Sequence, residues 1–430
     1  MDTFIIQGGH RLSGEIEVRG AKNSALAILA ATVLVPGSCQ LHNVPKIGDV
    51  LTMIELLQSM GAIVTWGADH SLTIDNANLD PHKLDIVLVK RIRASIILIG
   101  SLIARFGEIT IATPGGCQIG SRPLDAHLGA LKQFGCTITT QERLMHIVRD
   151  QAQPERVVLS EFSVTATELL LLAAAGSEQP LEIRIAAGAD HQVQDLCWYL
   201  QSLGVQVEGI GSATLKVHGL AKPHASEYTI VPDPVEAGTF LAMAGASNSA
   251  ITIKHVPRDM LFLELAKFAE VGVKFDLQSE GWDPLHHYEL FSVITKQTDK
   301  LMPLAKLHDM PAPGFSPDLL QPMAVVLSQA RGVSLIYDWM YDGRMKYVQE
   351  LQKMGADMTL LDSHRVTIVG PTPLYGKEII SFDLRAGATM VIAALIAQGE
   401  STITNINQVD RGYEAIDERL KALGAEIKRN

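Results

Sequence analysis

Hydrophobic residues along this chain fall into two alternating patterns. One is a long run of small apolar residues without a polar face: AKNSALAILAATVL, RASIILIGSLIARF, SVTATELLLLAAAG, EAGTFLAMAGAS, DLLQPMAVVLSQA and DLRAGATMVIAALIA. A helix that is apolar nearly all round has no side to give to water, so these six are predicted to be fully buried. The other is a helix that ends in a hydrophobic residue, a Gly, and a small or β-branched residue opening a strand. It reads LLQSMGAIV, LKQFGCTIT, LQSLGVQVE, FAEVGVKFD, LQKMGADMT and LKALGAEIK. Gly61, Gly135, Gly204, Gly272, Gly355 and Gly424 are predicted to end their helices in the left-handed conformation, which needs no Cβ. The alternating residues that follow leave as strands.

Successive glycines are 74, 69, 68, 83 and 69 residues apart. A period of roughly 70 residues is too long for a solenoid repeat and suits a compact α/β unit used several times. Six units suggest two pseudo-symmetric domains of three units, with a ligand in the cleft between them. The junction falls near KPHASEYTIVPDP, residues 222–234. The longest interval holds SEGWDPLHHYEL and HDMPAPGFSPD, expected to form a mobile or insertion-bearing segment.

Composition narrows the function. The chain has 430 residues, 47% of them hydrophobic, which is ample for large cores, and a net charge of −11. That balance argues against a nucleic-acid or membrane-surface binder, because phosphate surfaces demand a basic face. An anionic ligand would need a local concentration of Arg and Lys. The N-terminus has no signal-peptide pattern, and the most apolar stretch, IVLVKRIRASIILIG, carries Lys90, Arg91 and Arg93. No membrane span is expected, and a cytoplasmic location is. Cys39, Cys117, Cys136 and Cys197 are widely spaced and expected to be reduced thiols.

The cations that interrupt the repeat recur where loops turn into helices. Lys22 and Asn23 precede the first buried helix, Arg93 the second and Arg385 the sixth. Arg122 and Arg411 are expected to start the second helix of their units, with Arg344 in the matching place of the fifth. Helix N-termini offer unpaired N–H groups, and Arg adds a bidentate fork, a combination suited to phosphate and carboxylate. The plainer alternative pairs each Arg with a nearby acid such as Asp383 or Asp410. Cys117 stands on a Gly-rich loop beside Arg122, a setting that favours a thiolate, and Ser121 is a good N-cap for the next helix. An unreactive loop thiol is the alternative. Asp318, before the fifth buried helix, reads as an N-cap more readily than as a base. The 14 histidines include no zinc-binding spacing, and neither a Walker loop nor a GxGxxG follows a strand, so no metal and no cofactor is expected. The residues alone thus describe a two-domain α/β protein for a phosphorylated, carboxylated small molecule, with a candidate acid or nucleophile thiol.

The stretches RGAKNSALAILAA, VKRIRAS, PGGCQIGSRPLDAHL, GFSPDLLQPM, DLRAGATMV and VDRGYEAIDERLKALGA carry a resemblance. In them the chain resembles the UDP-N-acetylglucosamine 1-carboxyvinyltransferase family of enolpyruvyl transferases, in order from residue 1 to 430. The related shikimate-pathway transferase shares the architecture but lacks the cysteine loop. The resemblance implies two inside-out α/β barrel domains, each of three repeated units, covering 22–230 and 1–21 plus 231–430. It implies transfer of the enolpyruvyl group of phosphoenolpyruvate to the 3′-hydroxyl of UDP-N-acetylglucosamine, through addition and elimination, in peptidoglycan synthesis. That would connect the chain with cell wall biogenesis, cell shape and division, and make it a fosfomycin target.

Carried over by motif, Cys117 would be the general acid and Asp318 the acceptor of the hydroxyl proton. Lys22, Arg122 and Arg411 would hold the phosphate, and Arg344 and Arg385 the carboxylate, with Asn23 close by. Asn23, Arg93, Ser163, Val164, Asp318 and Met340 would face the sugar nucleotide, with Arg122, Pro123, Leu124 and Asp125 near the uridine. Some positions depart from the family pattern. Glu161 replaces a Lys and Thr165 a Gly in EFSVTATE; DHQV, Asp190 to Val193, replaces Glu-Pro-Glu-Val; Pro234 replaces an Arg, and Gln408 stands near an expected His. These changes leave a paralogue with another acceptor hydroxyl, or a non-catalytic regulatory relative, as alternatives. Nothing in the sequence sets an oligomeric state.

Overall fold

The computed structural model describes residues 2–115, 123–220 and 223–430. These divide into two units, one of residues 20–115 and 123–231, the other of residues 2–19 and 232–430. Within each, the apolar helices lie inside and the sheets outside.

In the first unit, helix Leu98–Phe106 packs against both Lys22–Thr32 and Val164–Ala175. Leu169, Leu170, Leu171 and Leu172 are all fully buried, so no face of that third helix is left for water. A Cβ on Gly100 would sit 2.3 Å from the Leu169 carbonyl, so a glycine is what lets two of these helices approach. In the second unit, Pro234–Ser247, Leu320–Ser328 and Leu384–Ile396 pack against one another. All six repeat glycines end their helices with φ between +92° and +107°.

Among the described residues, each unit carries three sheets. Five of the six described sheets share one plan: a parallel edge strand, then two antiparallel steps. In the third repeat, Arg156–Val158 leads through the buried helix Val164–Ala175 to its parallel neighbour Leu181–Arg184. The sheet Glu108–Ala112, Leu144–Arg149, Cys136–Gln141 has the antiparallel steps alone.

Strands far away in sequence complete three of the sheets. Glu227–Thr229 is the parallel partner of Ser38–His42, closing the first unit. Ser13–Glu17 is the parallel partner of Ala250–Pro257, and Thr3–Gln7 lies between Glu400–Thr404 and Glu426–Arg429, both in the second unit.

The long interval, expected to be mobile or insertion-bearing, is built largely of regular structure. It holds a hairpin of Lys274–Trp282 and Glu289–Lys296, nine and eight residues long. Its turn is fixed by Asp283, whose carboxylate accepts the backbone N–H groups of Leu285, His287 and Tyr288. Among the described residues, no helix is long and apolar enough to cross a membrane. Cys39, Cys136 and Cys197 are buried free thiols.

Candidate active site

In the second unit, Asp318 stands between two guanidiniums. Its Oδ1 accepts from Arg344 Nη2 at 2.8 Å, and its Oδ2 is 2.9 Å from Arg385 Nη2. Arg344 and Arg385 are 2% and 5% exposed, whereas the Asp318 side chain keeps 27% of its surface in solvent. Burial alone would push the Asp318 carboxyl up, but Arg385 and Arg344 outweigh it and hold it far below the usual carboxylate range. Burial likewise disfavours the two guanidinium charges, and Asp318 more than compensates, so both stay firmly protonated.

Local structure explains the placement. Helix Leu384–Ile396 is N-capped by Asp383, whose Oδ1 accepts the N–H groups of Arg385 and Ala386 at 2.8 and 2.9 Å. Arg385 therefore leaves the first turn of a buried helix. Its Nη1 donates to the Tyr413 hydroxyl at 3.0 Å, and that hydroxyl lies 2.9 Å from Thr239 Oγ1. Arg344 precedes helix Lys346–Lys353 and lies over the Tyr341 ring at 5.0 Å. Its buried Nε and Nη1 have no hydrogen-bond partner among the described residues. A buried guanidinium with unfilled donors is an anion site in waiting.

The arginines Arg344 and Arg385 do pair with an acid, but it is Asp318 and not the acids nearest in sequence. The Asp383 side chain caps its helix, and Asp410 pairs with Arg429. Asp318 is not an N-cap, because helix Leu320–Ser328 begins after Leu319 without a side-chain cap. Arg411 does not start a helix: it follows Asn407–Asp410, and the next helix is Ile416–Ala422. Its Nη1 donates to Gln408 Oε1 at 3.1 Å. Met340 is half-buried in the turn before Arg344.

In the first unit, Lys22 opens helix Lys22–Thr32, whose N-cap, Ala21, offers no side-chain bond. Lys22 Nζ lies 2.8 Å from Asp49 Oδ2, with both side chains largely buried, and Asn23 is half-buried beside it. Arg93 begins the short helix Arg93–Ile97, and its Nη2 donates to the Pro123 carbonyl at 3.4 Å. Pro123 and Leu124 lead into helix Asp125–Gln133. Ser163 caps helix Val164–Ala175 by accepting from Ala166 N. His127 Nε2 lies 2.7 Å from Thr165 Oγ1. Burial, helped by Arg93, lowers the His127 pKa to about 4, so the ring is neutral. Cys117, Ser121 and Arg122 lie outside the described residues, and the helix that Ser121 was expected to cap begins at Asp125.

Residues 6–420 match the family model of EPSP synthase (3-phosphoshikimate 1-carboxyvinyltransferase). The UDP-N-acetylglucosamine 1-carboxyvinyltransferase of Bradyrhizobium diazoefficiens is 42% identical, over 99% of this chain and 97% of its own length. That of Bacteroides thetaiotaomicron is 38% identical over the whole of both. The chain belongs to the UDP-N-acetylglucosamine 1-carboxyvinyltransferase family. Among solved structures, the enolpyruvyl transferase NikO from Streptomyces tendae aligns with a TM-score of 0.87 at 24% identity, covering 100% of this chain and 99% of its own. EPSP synthase from Acinetobacter baumannii aligns with a TM-score of 0.77 at 17% identity over the whole of both chains. At such identities the likeness speaks for the enolpyruvyl transferase fold.

The departures from the carboxyvinyltransferase pattern now have structural settings. Glu161 is exposed, so exchanging a cation for an anion there is screened by solvent. Thr165 pairs with His127, a bond that a Gly could not make. Asp190 caps helix His191–Ser202, and Pro234 occupies the first turn of its helix, where a missing N–H costs nothing. Gln408 holds Arg411.

Asp49 and Tyr413 were missed in the sequence. Asp49 looked like an ordinary first-turn acid, and Tyr413 was read only as part of a motif. Glu168 was missed as well, although it is the one acidic residue inside the apolar run SVTATELLLLAAAG. Burial, with Asp190 adding to it, pushes its carboxyl far up, so it is held neutral.

Proposed function

We propose that this chain transfers the enolpyruvyl group of phosphoenolpyruvate to the 3′-hydroxyl of UDP-N-acetylglucosamine, releasing phosphate, in the first committed step of peptidoglycan synthesis. The observation that carries the reading is the pair of buried guanidiniums on Asp318, one of them with two unfilled donors. A planar carboxylate fits such a pair, and phosphoenolpyruvate supplies one.

In this reading, Arg344 and Arg385 take the substrate carboxylate, and Lys22, Arg122 and Arg411 the phosphate. Asn23, Arg93, Pro123, Leu124, Asp125, Ser163, Val164 and Met340 serve the sugar nucleotide. Asp318 accepts the proton of the 3′-hydroxyl while the hydroxyl oxygen bonds to C2 of phosphoenolpyruvate. The Cys117 thiol gives a proton to C3, completing a tetrahedral adduct. Loss of phosphate, with removal of a proton from the new methyl group, restores the double bond. Proton transfer at both ends and a fixed cationic clamp are what so unreactive a pair requires.

Asp318 gripped by two arginines is too weak a base for its part. Transfer of those guanidiniums to the substrate carboxylate raises its basicity at the moment it is needed. The reading places the protein in the cytoplasm, gives it a part in cell wall growth, cell shape and division, and makes Cys117 the target of fosfomycin. Phosphate release from phosphoenolpyruvate, measured with UDP-N-acetylglucosamine and with other hydroxyl acceptors, tests it. Release that depends on UDP-N-acetylglucosamine is expected; equal release with other acceptors, or none, would overturn it.

A further inference from the structure

Arg344 has a second acidic neighbourhood. Strands Leu307–His308 and Gly332–Tyr337 run parallel, with Leu307 opposite Ile336 and His308 opposite Tyr337. The next residues on each are Asp309 and Asp338, and they are 0% and 3% exposed. Asp309 Oδ1 accepts the Trp339 backbone N–H at 2.9 Å, and its carbonyl accepts the Trp339 indole N–H. Asp309 Oδ2 is buried and has no hydrogen-bond partner among the described residues. Asp338 Oδ1 accepts Tyr341 N–H at 3.3 Å. The Asp338 backbone is held by His364 on both sides, N–H to carbonyl at 2.9 Å and carbonyl to ring Nδ1 at 2.7 Å. From there a short turn reaches Arg344, which rests on Tyr341. Whatever fixes Asp338, Trp339 and Tyr341 therefore fixes the guanidinium.

Two buried carboxyls side by side cannot both carry charge cheaply, and a proton held between them fills the orphaned oxygen. We propose that Asp309 and Asp338 form a one-proton carboxyl pair that positions Arg344 for the substrate carboxylate. The role given to Arg344 rests on the function proposed above; the pair itself does not. Both are positioning residues and touch no substrate. Burial first, then the charge and hydrogen bond of Asp309, outweigh Arg344 and push Asp338 up to about 7. The other titratable groups facing this cluster are Asp318 and Asp383 around Arg344, Tyr347 on helix Lys346–Lys353, and His364 with its partner Asp342. When the shared proton leaves, like charges repel across the Asp309–Trp339 tie, and Arg344 is drawn toward Asp338.

The test follows both partners in the full chain. Aspartate carboxyl ¹³C and arginine side-chain ¹⁵N resonances are recorded across neutral pH, in the parent and in Asp338→Asn and Asp309→Asn. Arg344→Lys identifies the Arg344 signal. One carboxyl should titrate near neutrality, the Arg344 resonance should move with the same midpoint, and both changes should vanish in the Asn variants, whose amide supplies the hydrogen permanently. The KM for phosphoenolpyruvate should rise roughly 5-fold across that titration in the parent, with kcat little changed, and stay flat in the Asn variants. Substrate and buffer titrate equally in all three, so the difference belongs to the pair. If no near-neutral carboxyl disappears in Asp338→Asn, the pair does not exist. If it disappears while the Arg344 resonance stays still, the pair does not position Arg344. A chain that releases no phosphate would sink the transferase reading, and the two resonances would still decide the pair.

Discussion

Arg344 Nη2 donates to Asp318 Oδ1 at 2.8 Å, so the candidate base is held by a group proposed to bind substrate. Arg385 takes the second oxygen at 2.9 Å. Asp318→Ala would leave two buried cations without their shared anion, which costs about 3 kcal/mol in urea unfolding. It would also clear the clamp. Turnover should be lost while phosphoenolpyruvate binds more tightly than to the parent, as measured by calorimetry. Equal or weaker affinity would mean that the substrate carboxylate does not compete for these arginines.

Lys22 opens its helix where an anion would be favoured, so Lys22→Ala is expected to weaken phosphoenolpyruvate binding more than it changes folding. The 2.8 Å contact with Asp49 gives the change a folding cost of about 1–3 kcal/mol, because a largely buried charge-assisted contact is lost. A double-mutant cycle of Lys22→Ala with Asp49→Asn should show coupling of that size in stability, while every variant that lacks Lys22 binds poorly. Binding preserved without Lys22 would assign Lys22 a purely structural role.

Asp195 predicts a pH dependence of stability. It is fully buried, accepts from Tyr228 Oη at 2.6 Å and Val231 N at 3.2 Å, and is pushed up to about 6 by burial, against those hydrogen bonds. A carboxyl raised above its unfolded value of about 3.9 favours the fold below that pH and loses the contribution as pH climbs through the folded value. A difference of this size is worth about 3 kcal/mol between roughly pH 4 and pH 7. Asp195→Asn should flatten the melting-temperature profile in that window. An unchanged slope would show that Asp195 does not titrate there. The Val231 carbonyl also accepts Ala21 N–H at 2.7 Å, so this carboxyl braces the start of the helix that carries Lys22.

Selective alkylation is expected at Cys117. Burial pushes the Cys39 thiol up, and raises Cys136 to about 11 and Cys197 further still, so thiolate is scarce at all three. An epoxide phosphonate should modify Cys117 alone, by peptide mass mapping. Cys117→Asp should resist it and keep some turnover, since a carboxylic acid can still donate a proton, whereas Cys117→Ala should lose most activity. Label spread over all four cysteines would remove the thiol from the mechanism.

The sequence by itself determined the repeat, the helices that lie inside, and the cations from which a site could be drawn. These are local properties. A glycine at a helix end needs only its own φ, and a run such as LLLLAAA is apolar whatever it packs against. What each charge meets is not local. Asp318 and Arg344 come from opposite ends of the fifth repeat and Arg385 from the sixth, and only the packing of their helices and turns sets the distances between them. In the same way, a strand register puts Asp309 beside Asp338, and Glu227–Thr229 and Ser13–Glu17 complete sheets that begin far from them in the chain. Pattern records which side of an element faces inward; the fold chooses the partner there, and for buried charges that partner decides the chemistry.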